Sequence, residues 1–159
     1  MRIKNSVVLI LLVILFFSCD KKRVFDEYKS VGSAWNKDSI VTFNLPPLDS
    51  TKQYNLFVNL RDNNNYPFNN LFLIVSMEKP NGLVKVDTLE YQMANPDGSL
   101  LGDGFSDIKE SKLFYKEKIK LQGISKIHIK HAVRENGKIP GVKTLEGITE
   151  VGFRIEKTE

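Results

Sequence analysis

From position 24 onward, apolar and polar side chains trade places at a period of two, and no 12-residue stretch carries a convincing helical stripe. Tyr54, Leu56, Val58 and Leu60 are opposed by Asn55, Asn59 and Arg61. Val41, Phe43 and Leu45 alternate with Thr42 and Asn44, and Val151, Phe153 and Ile155 with Glu150, Gly152, Arg154 and Glu156. Successive side chains of a strand point to opposite faces, so each of these segments predicts a half-buried strand. Leu71 to Val75 is apolar on both faces and is expected centrally in a sheet. It leads through Lys79-Pro80-Asn81-Gly82 into Leu83 to Tyr91, and an Asn-Gly link between two such runs predicts a hairpin. Further strands are expected at about Val24 to Lys29, Leu113 to Leu121 and Lys126 to Arg134. Pro46-Pro47 ends one strand, while Asn95-Pro96-Asp97-Gly98 and Asn136-Gly137 have turn chemistry. About eight strands at this spacing predict an all-β domain, specifically an antiparallel β-sandwich.

The first residues obey a different rule. Arg2 and Lys4 precede Val7 to Phe17, an unbroken apolar run of 11 residues, followed by Ser18 and Cys19. Eleven helical residues rise only about 16 Å, roughly half of a hydrocarbon core, so a permanent membrane span is the weaker reading. A basic start, a short apolar centre and a small terminal residue make a secretory signal. The chain's one cysteine stands directly after that small residue, as in a bacterial lipoprotein signal, in which the thiol is diacylated and becomes the new N-terminus. The alternative is an ordinary signal peptide with a cysteine at its end. The division expected is 1–18 signal peptide, 19–23 lipid-anchored tether and 24–159 sandwich. Asp20-Lys21-Lys22-Arg23 suits either a solvated spacer or a cationic segment beside anionic headgroups.

Composition narrows the function classes. The 159 residues suit one domain, with 23 Lys and Arg against 19 Asp and Glu. Removing Arg2 and Lys4 with the signal leaves 21 against 19, a net charge of +2. A nearly balanced chain argues against nucleic-acid binding, which draws on a clustered basic face. A single cysteine excludes an intramolecular disulfide and any multi-cysteine zinc site.

Candidate chemistry is sparse. His128 and His131, the two histidines, are three apart and fall on opposite faces of a strand, which rules against a shared metal. His131 continues the apolar face of Ile127 and Ile129 and reads as a packed core residue; His128 lies with Lys130 on the other face. Asp97, Asp103 and Asp107 stand among Gly98, Gly102 and Gly104, but not at the spacing of a twelve-residue calcium loop, and turn formation explains them. There is no Gly-x-Ser-x-Gly elbow, His-Glu-x-x-His motif or phosphate loop. No cofactor or metal site is implied. Between Leu60 and Leu71 a polar loop carries Tyr66 and Phe68 around Pro67, and the two rings either form an exposed interaction patch or fold back over the open end of the sandwich.

The order of a lipoprotein signal, Trp35, Leu60-Arg61, Tyr66-Pro67-Phe68-Asn69-Asn70-Leu71, Asp87-Thr88, Asp97-Gly98, Leu101-Gly102, His131-Ala132-Val133-Arg134, Gly147-Ile148 and Val151-Gly152 resembles the gliding motility lipoprotein GldH family over the whole mature chain. The resemblance implies a non-enzymatic cell-envelope lipoprotein of bacterial gliding motility. Such a protein acts as a structural or assembly component with other motility lipoproteins and the type IX secretion machinery. It carries over Cys19 as the lipidation site and provides no catalytic residue. Arg61, Tyr66, Phe68, Arg134 and Arg154 are the candidates for partner contact, with internal salt bridges and packing as the other reading of the arginines. The competing class is a carbohydrate-binding or glycan-processing envelope lipoprotein, a role that β-sandwiches often host. The periplasmic face of the outer membrane is the expected address; Asp20 after Cys19 leaves inner-membrane retention open.

Overall fold

The computed structural model describes residues 20–104 and 106–158. Ten strands run in chain order: β1 Arg23–Ser30, β2 Ala34–Asn36, β3 Val41–Asn44, β4 Tyr54–Asn63, β5 Asn70–Glu78, β6 Val84–Gln92, β7 Ile108–Ile119, β8 Lys126–His131, β9 Thr144–Glu146 and β10 Ile148–Lys157. Every pairing is antiparallel. One sheet has the order β1-β10-β4-β7, the other β3-β8-β5-β6, and β2-β9 forms a two-stranded flap. We call the first two sheet A and sheet C.

The predicted sandwich is present, with two strands beyond the eight expected. The additional pair, β2 and β9, are three residues each and so too short to show a period. Their centres, Trp35 and Leu145, are opposite each other and fully buried. The inner faces follow the alternation: Leu56, Val58 and Leu60 of β4 and Val151, Phe153 and Ile155 of β10 meet Phe43, Leu73, Val75, Ile127 and Ile129 of sheet C in one core. Phe153 stands 6.2 Å from Phe43 across the two sheets. The Lys79–Gly82 hairpin forms as read, with Gly82 at φ 80°, where a side chain would be strained. β5 is central, yet Phe72 and Ile74 on its outer face stay half-exposed because no further layer covers them.

Because all strands are antiparallel, the connections sort to two ends. The start of β1, the end of β10 and the links β3–β4, β5–β6 and β7–β8 meet at one end, called here the near end. The remaining connections, including β2 and β9, lie at the far end. Residues 20–23 of the expected tether are bonded to the domain. Arg23 already belongs to β1, its N–H donates to the Asp20 carbonyl, and the Lys157 N–H donates to the Lys22 carbonyl at 2.8 Å.

Candidate functional site

Cys19 lies outside the described residues, but its neighbour Asp20 is held firmly. The Asp20 carboxylate pairs with Arg154, which also contacts Asp26 at 2.7 Å and Glu156 at 2.7 Å. The Arg154 side chain is only 14% exposed, and its guanidinium joins β1 to β10. Asp26 is paired directly opposite Arg154 and Glu156 is two residues on along β10, which puts both carboxylates on the Arg154 face, the outer face of sheet A.

Arg61 is engaged in the same way. It contacts Glu110 at 2.9 Å and Glu150 at 2.5 Å, and its guanidinium lies 4.3 Å from the Tyr28 ring centre. Tyr28 donates to Glu110 at 2.9 Å and lies across Gly152, where an added Cβ would come within 2.9 Å of the ring. Both arginines thus form ion pairs with carboxylates on the outer face of sheet A.

Tyr66 and Phe68 separate the two readings of the loop between β4 and β5. Tyr66 is 5% exposed and donates to the Asn70 carbonyl at 2.7 Å, so this ring closes the far end. Phe68 packs edge-on against it at 6.0 Å and remains half-exposed. Phe68, Pro67 and Asn69 then line an open recess of about 450 Å³ with Arg134 and Asn136 from the β8–β9 connection. Arg134 is exposed and makes no side-chain ion pair among the described residues. Of the five candidates, the structure brings Phe68 and Arg134 together at one recess. A second recess beside it, about 670 Å³, is lined by the amides Asn69, Asn70, Gln92, Asn95 and Asn136.

The histidines behave as their spacing implies. His131 is buried, with Nε2 3.0 Å from the Trp35 carbonyl and its ring 5.2 Å from the indole. That contact fixes the neutral tautomer with the proton on Nε2, and burial pushes the imidazole below its ordinary pKa. His128, on the outer face, sits between Thr42 at 2.9 Å and Glu78 at 2.7 Å, and it holds the Glu78 carboxyl below the usual range. Asp97 bonds Ser99 within its turn at 2.6 Å, and the Asp103 backbone exchanges two hydrogen bonds with Glu110.

Two far-end features escaped the sequence reading. Asp62 is fully buried and both its carboxylate oxygens lack a partner; burial lifts its pKa to about 6. Extending the alternation 54-56-58-60 by one step would have placed it on the inner face. Gly147 sits at φ 83° with the Tyr66 backbone pressed against it, an approach that only pairing reveals.

With the geometry established, the chain can be set beside known proteins. One solved structure, the infectious bursal disease virus VP2 subviral particle, aligns with 87% of this chain at 12% identity and a TM-score of 0.39, and the chain spans about a third of that capsid protein. The gliding motility lipoprotein GldH of Flavobacterium johnsoniae is 77% identical over 159 residues, all of both chains. A GldH homolog of Christiangramia forsetii is 54% identical, over 96% of this chain and 94% of its own. The sequence model of the family described as GldH lipoprotein matches residues 23–155, all but the edges of the domain described above, and the chain belongs to that family.

Proposed function

We propose that this chain is an acylated, non-enzymatic component of the bacterial gliding machinery. It is anchored through Cys19 and acts as a structural or assembly element for other envelope proteins of motility and type IX secretion. The observation that carries the reading is the end-to-end 77% identity to a protein named for gliding motility. The chemistry agrees with it. The buried histidine is used for packing, the central arginines are used for ion pairs, and the far-end recesses are lined mainly by amides, with Glu90, Arg134 and Glu135 among them.

The signal sequence favours export, and the periplasmic face of the outer membrane is the address we assign. Partner contact is assigned to the far-end recess, through Phe68 and Arg134, while Arg61, Tyr66 and Arg154 support the fold behind it. Deletion in a gliding host tests this reading. Colony spreading should be lost, wild-type chain should restore it, and Cys19→Ala should fail to restore it while losing label from radioactive palmitate. Unchanged spreading after deletion would remove the motility assignment. A photo-crosslinker at Phe68 should then capture another envelope protein, and one at Phe114, exposed on sheet A, should not.

The amide-lined recess supports one other reading, a glycan-binding lipoprotein, since Asn and Gln match sugar hydroxyls as donors and acceptors. Against it, Trp35 is wholly buried and unavailable for stacking on a sugar ring. Tight, selective binding on a glycan array would favour this second reading.

A further inference from the structure

The nearly neutral total charge conceals a polarised arrangement. The near-end segments 20–23, 45–53, 79–83, 118–126 and 157–158 contain nine Lys and Arg against two Asp. The far-end connections 31–40, 64–69, 93–107 and 132–147 contain four against six Asp and Glu. Lys21, Arg23, Lys79, Lys118, Lys120 and Lys157 make no side-chain ion pair among the described residues. Salt bridges within the fold therefore do not explain them.

The geometry of the attachment point gives this end a partner. Consecutive Cα atoms are about 3.8 Å apart, and Asp20 is already clamped to Arg154 and bonded to Lys22 and Arg23. An acylated Cys19 thus has no flexible linker. Its fatty chains enter the bilayer within a residue of the folded domain, which keeps the end of the sandwich beside it within reach of the headgroups and leaves its charges to decide whether it docks on them.

One recess sharpens the chemistry. Lys22, Lys118 and Lys157 surround about 460 Å³ together with Asn55 and Thr158, while the carboxylate of Glu156 in the same wall is taken by Lys112 and Arg154. Lys118 holds φ 49°, the left-handed region that side chains avoid, and its N–H donates to the Asn55 side chain at 3.0 Å.

We propose that the near end is a bilayer-docking surface: its lysines bind the phosphates of anionic lipids and set the sandwich upright, with the Phe68–Arg134 recess directed away from the membrane. The proposal rests on acylation at Cys19. Each cation close to an anionic leaflet raises the ratio of docked to undocked domain by about fivefold, so three act together by about a hundredfold.

The test uses the full acylated chain in vesicles of phosphatidylcholine alone or mixed with phosphatidylglycerol. A fluorophore on Ser50→Cys reports the near end and one on Asn64→Cys the far end; acylation leaves the Cys19 thiol unavailable for labelling. Headgroup nitroxide lipids should quench the near-end label in the anionic vesicles, much less in the neutral ones, and should spare the far-end label in both. High salt should release the near end by about a hundredfold, and the combination Lys21→Glu, Lys79→Glu and Lys120→Glu, which removes three cations and adds three anions, by more than that, while the protein stays in the vesicle fraction. Equal quenching in the two vesicle types, or no response to both salt and charge reversal, overturns the docking surface. Escape of the wild-type chain from neutral vesicles is a different failure: it removes the acyl anchor, and with it the argument from the missing linker.

Discussion

At the far end the connections turn inward. Trp35 and Leu145 plug the sandwich, His131 bonds the Trp35 carbonyl, Tyr66 closes over Gly147, and the Asp62 carboxylate is buried with no protein hydrogen-bond partner among the described residues. At the near end the connections commit Leu121 to the core, pack Leu45, Leu48 and Ile124 against it, and leave their cations in solvent. Sandwiches must close both openings, and this one does so with buried rings and polar groups at one end and, at the other, chiefly with aliphatic residues around the Tyr54 ring, whose hydroxyl donates to the Asp49 carbonyl. Substitutions of the buried groups at the far end should therefore change stability strongly, and substitutions of near-end cations should not.

The largest effect is expected at Gly147. A Cβ there would meet the Tyr66 nitrogen at 2.2 Å, and φ is 83°. Neither backbone can yield without reopening the end, so Gly147→Ala should lower the unfolding free energy by on the order of 4 kcal/mol. Gly32 has the same φ, 82°, with nothing within 4 Å of the added carbon. Gly32→Ala isolates the dihedral cost and should lose only about 1 kcal/mol. Equal losses in urea denaturation would show that packing against Tyr66 is not what closes this end.

Asp62 comes next, and its sign is opposite to that of most carboxylates. The folded pKa, about 6, lies above the ordinary aspartate value of 3.8, so between these values the native state binds a proton that the unfolded state does not. Stability from this group therefore rises as pH falls from 6 toward 4, and above 6 the ionised carboxylate carries a penalty of about 3 kcal/mol. Asp62→Asn should stabilise the protein at pH 7 by somewhat less, since a buried amide without a partner has its own desolvation cost. The variant should also flatten the pH dependence between 4 and 6. A variant with an unchanged profile would mean that water reaches the carboxylate.

His131 acts against Asp62 in the same acid window. Burial depresses its pKa, so the unfolded chain takes up the proton first and stability is lost as pH falls below about 6.5. In the Asp62→Asn background this loss should stand alone, and His131→Gln should remove it. Denaturation midpoints of the two variants across pH 7 to 4 should therefore shift in opposite directions.

These contrasts also show what the sequence could convey. Strands of eight residues or more announced themselves through alternation, as at Tyr54 to Leu60, because a buried face repeats often enough to be seen. β7 began at Ile108, before the expected Leu113, since Lys109-Glu110-Ser111-Lys112 reads as polar while its sheet edge is half solvated. β2 and β9 were invisible at three residues each, although they carry Trp35 and Leu145. The candidate arginines were legible as residues but not as pairs, because Arg61 meets Glu110 and Glu150 from positions 49 and 89 apart. The near-end cations were harder still. They are scattered through five segments of a nearly neutral chain, and only antiparallel pairing collects them.

The smallest effect is the one that most sharpens the comparison. Lys21→Gln, Lys79→Gln and Lys120→Gln should each change the unfolding free energy by less than about 0.5 kcal/mol, because Lys21 and Lys120 are exposed, Lys79 is half-buried, and none of the three pairs with a carboxylate among the described residues. The sign should be toward greater stability at low salt, where nine cations against two carboxylates in the near-end segments repel one another. Added salt should erase the difference as the screening length falls to about 10 Å near 0.1 M. A loss of more than about 1 kcal/mol in any of the three would mean that these cations are bound into the fold after all, since exposed ion pairs rarely exceed that amount. The contrast between the ends would then be one of degree, and the lysines would no longer call for a partner outside the chain.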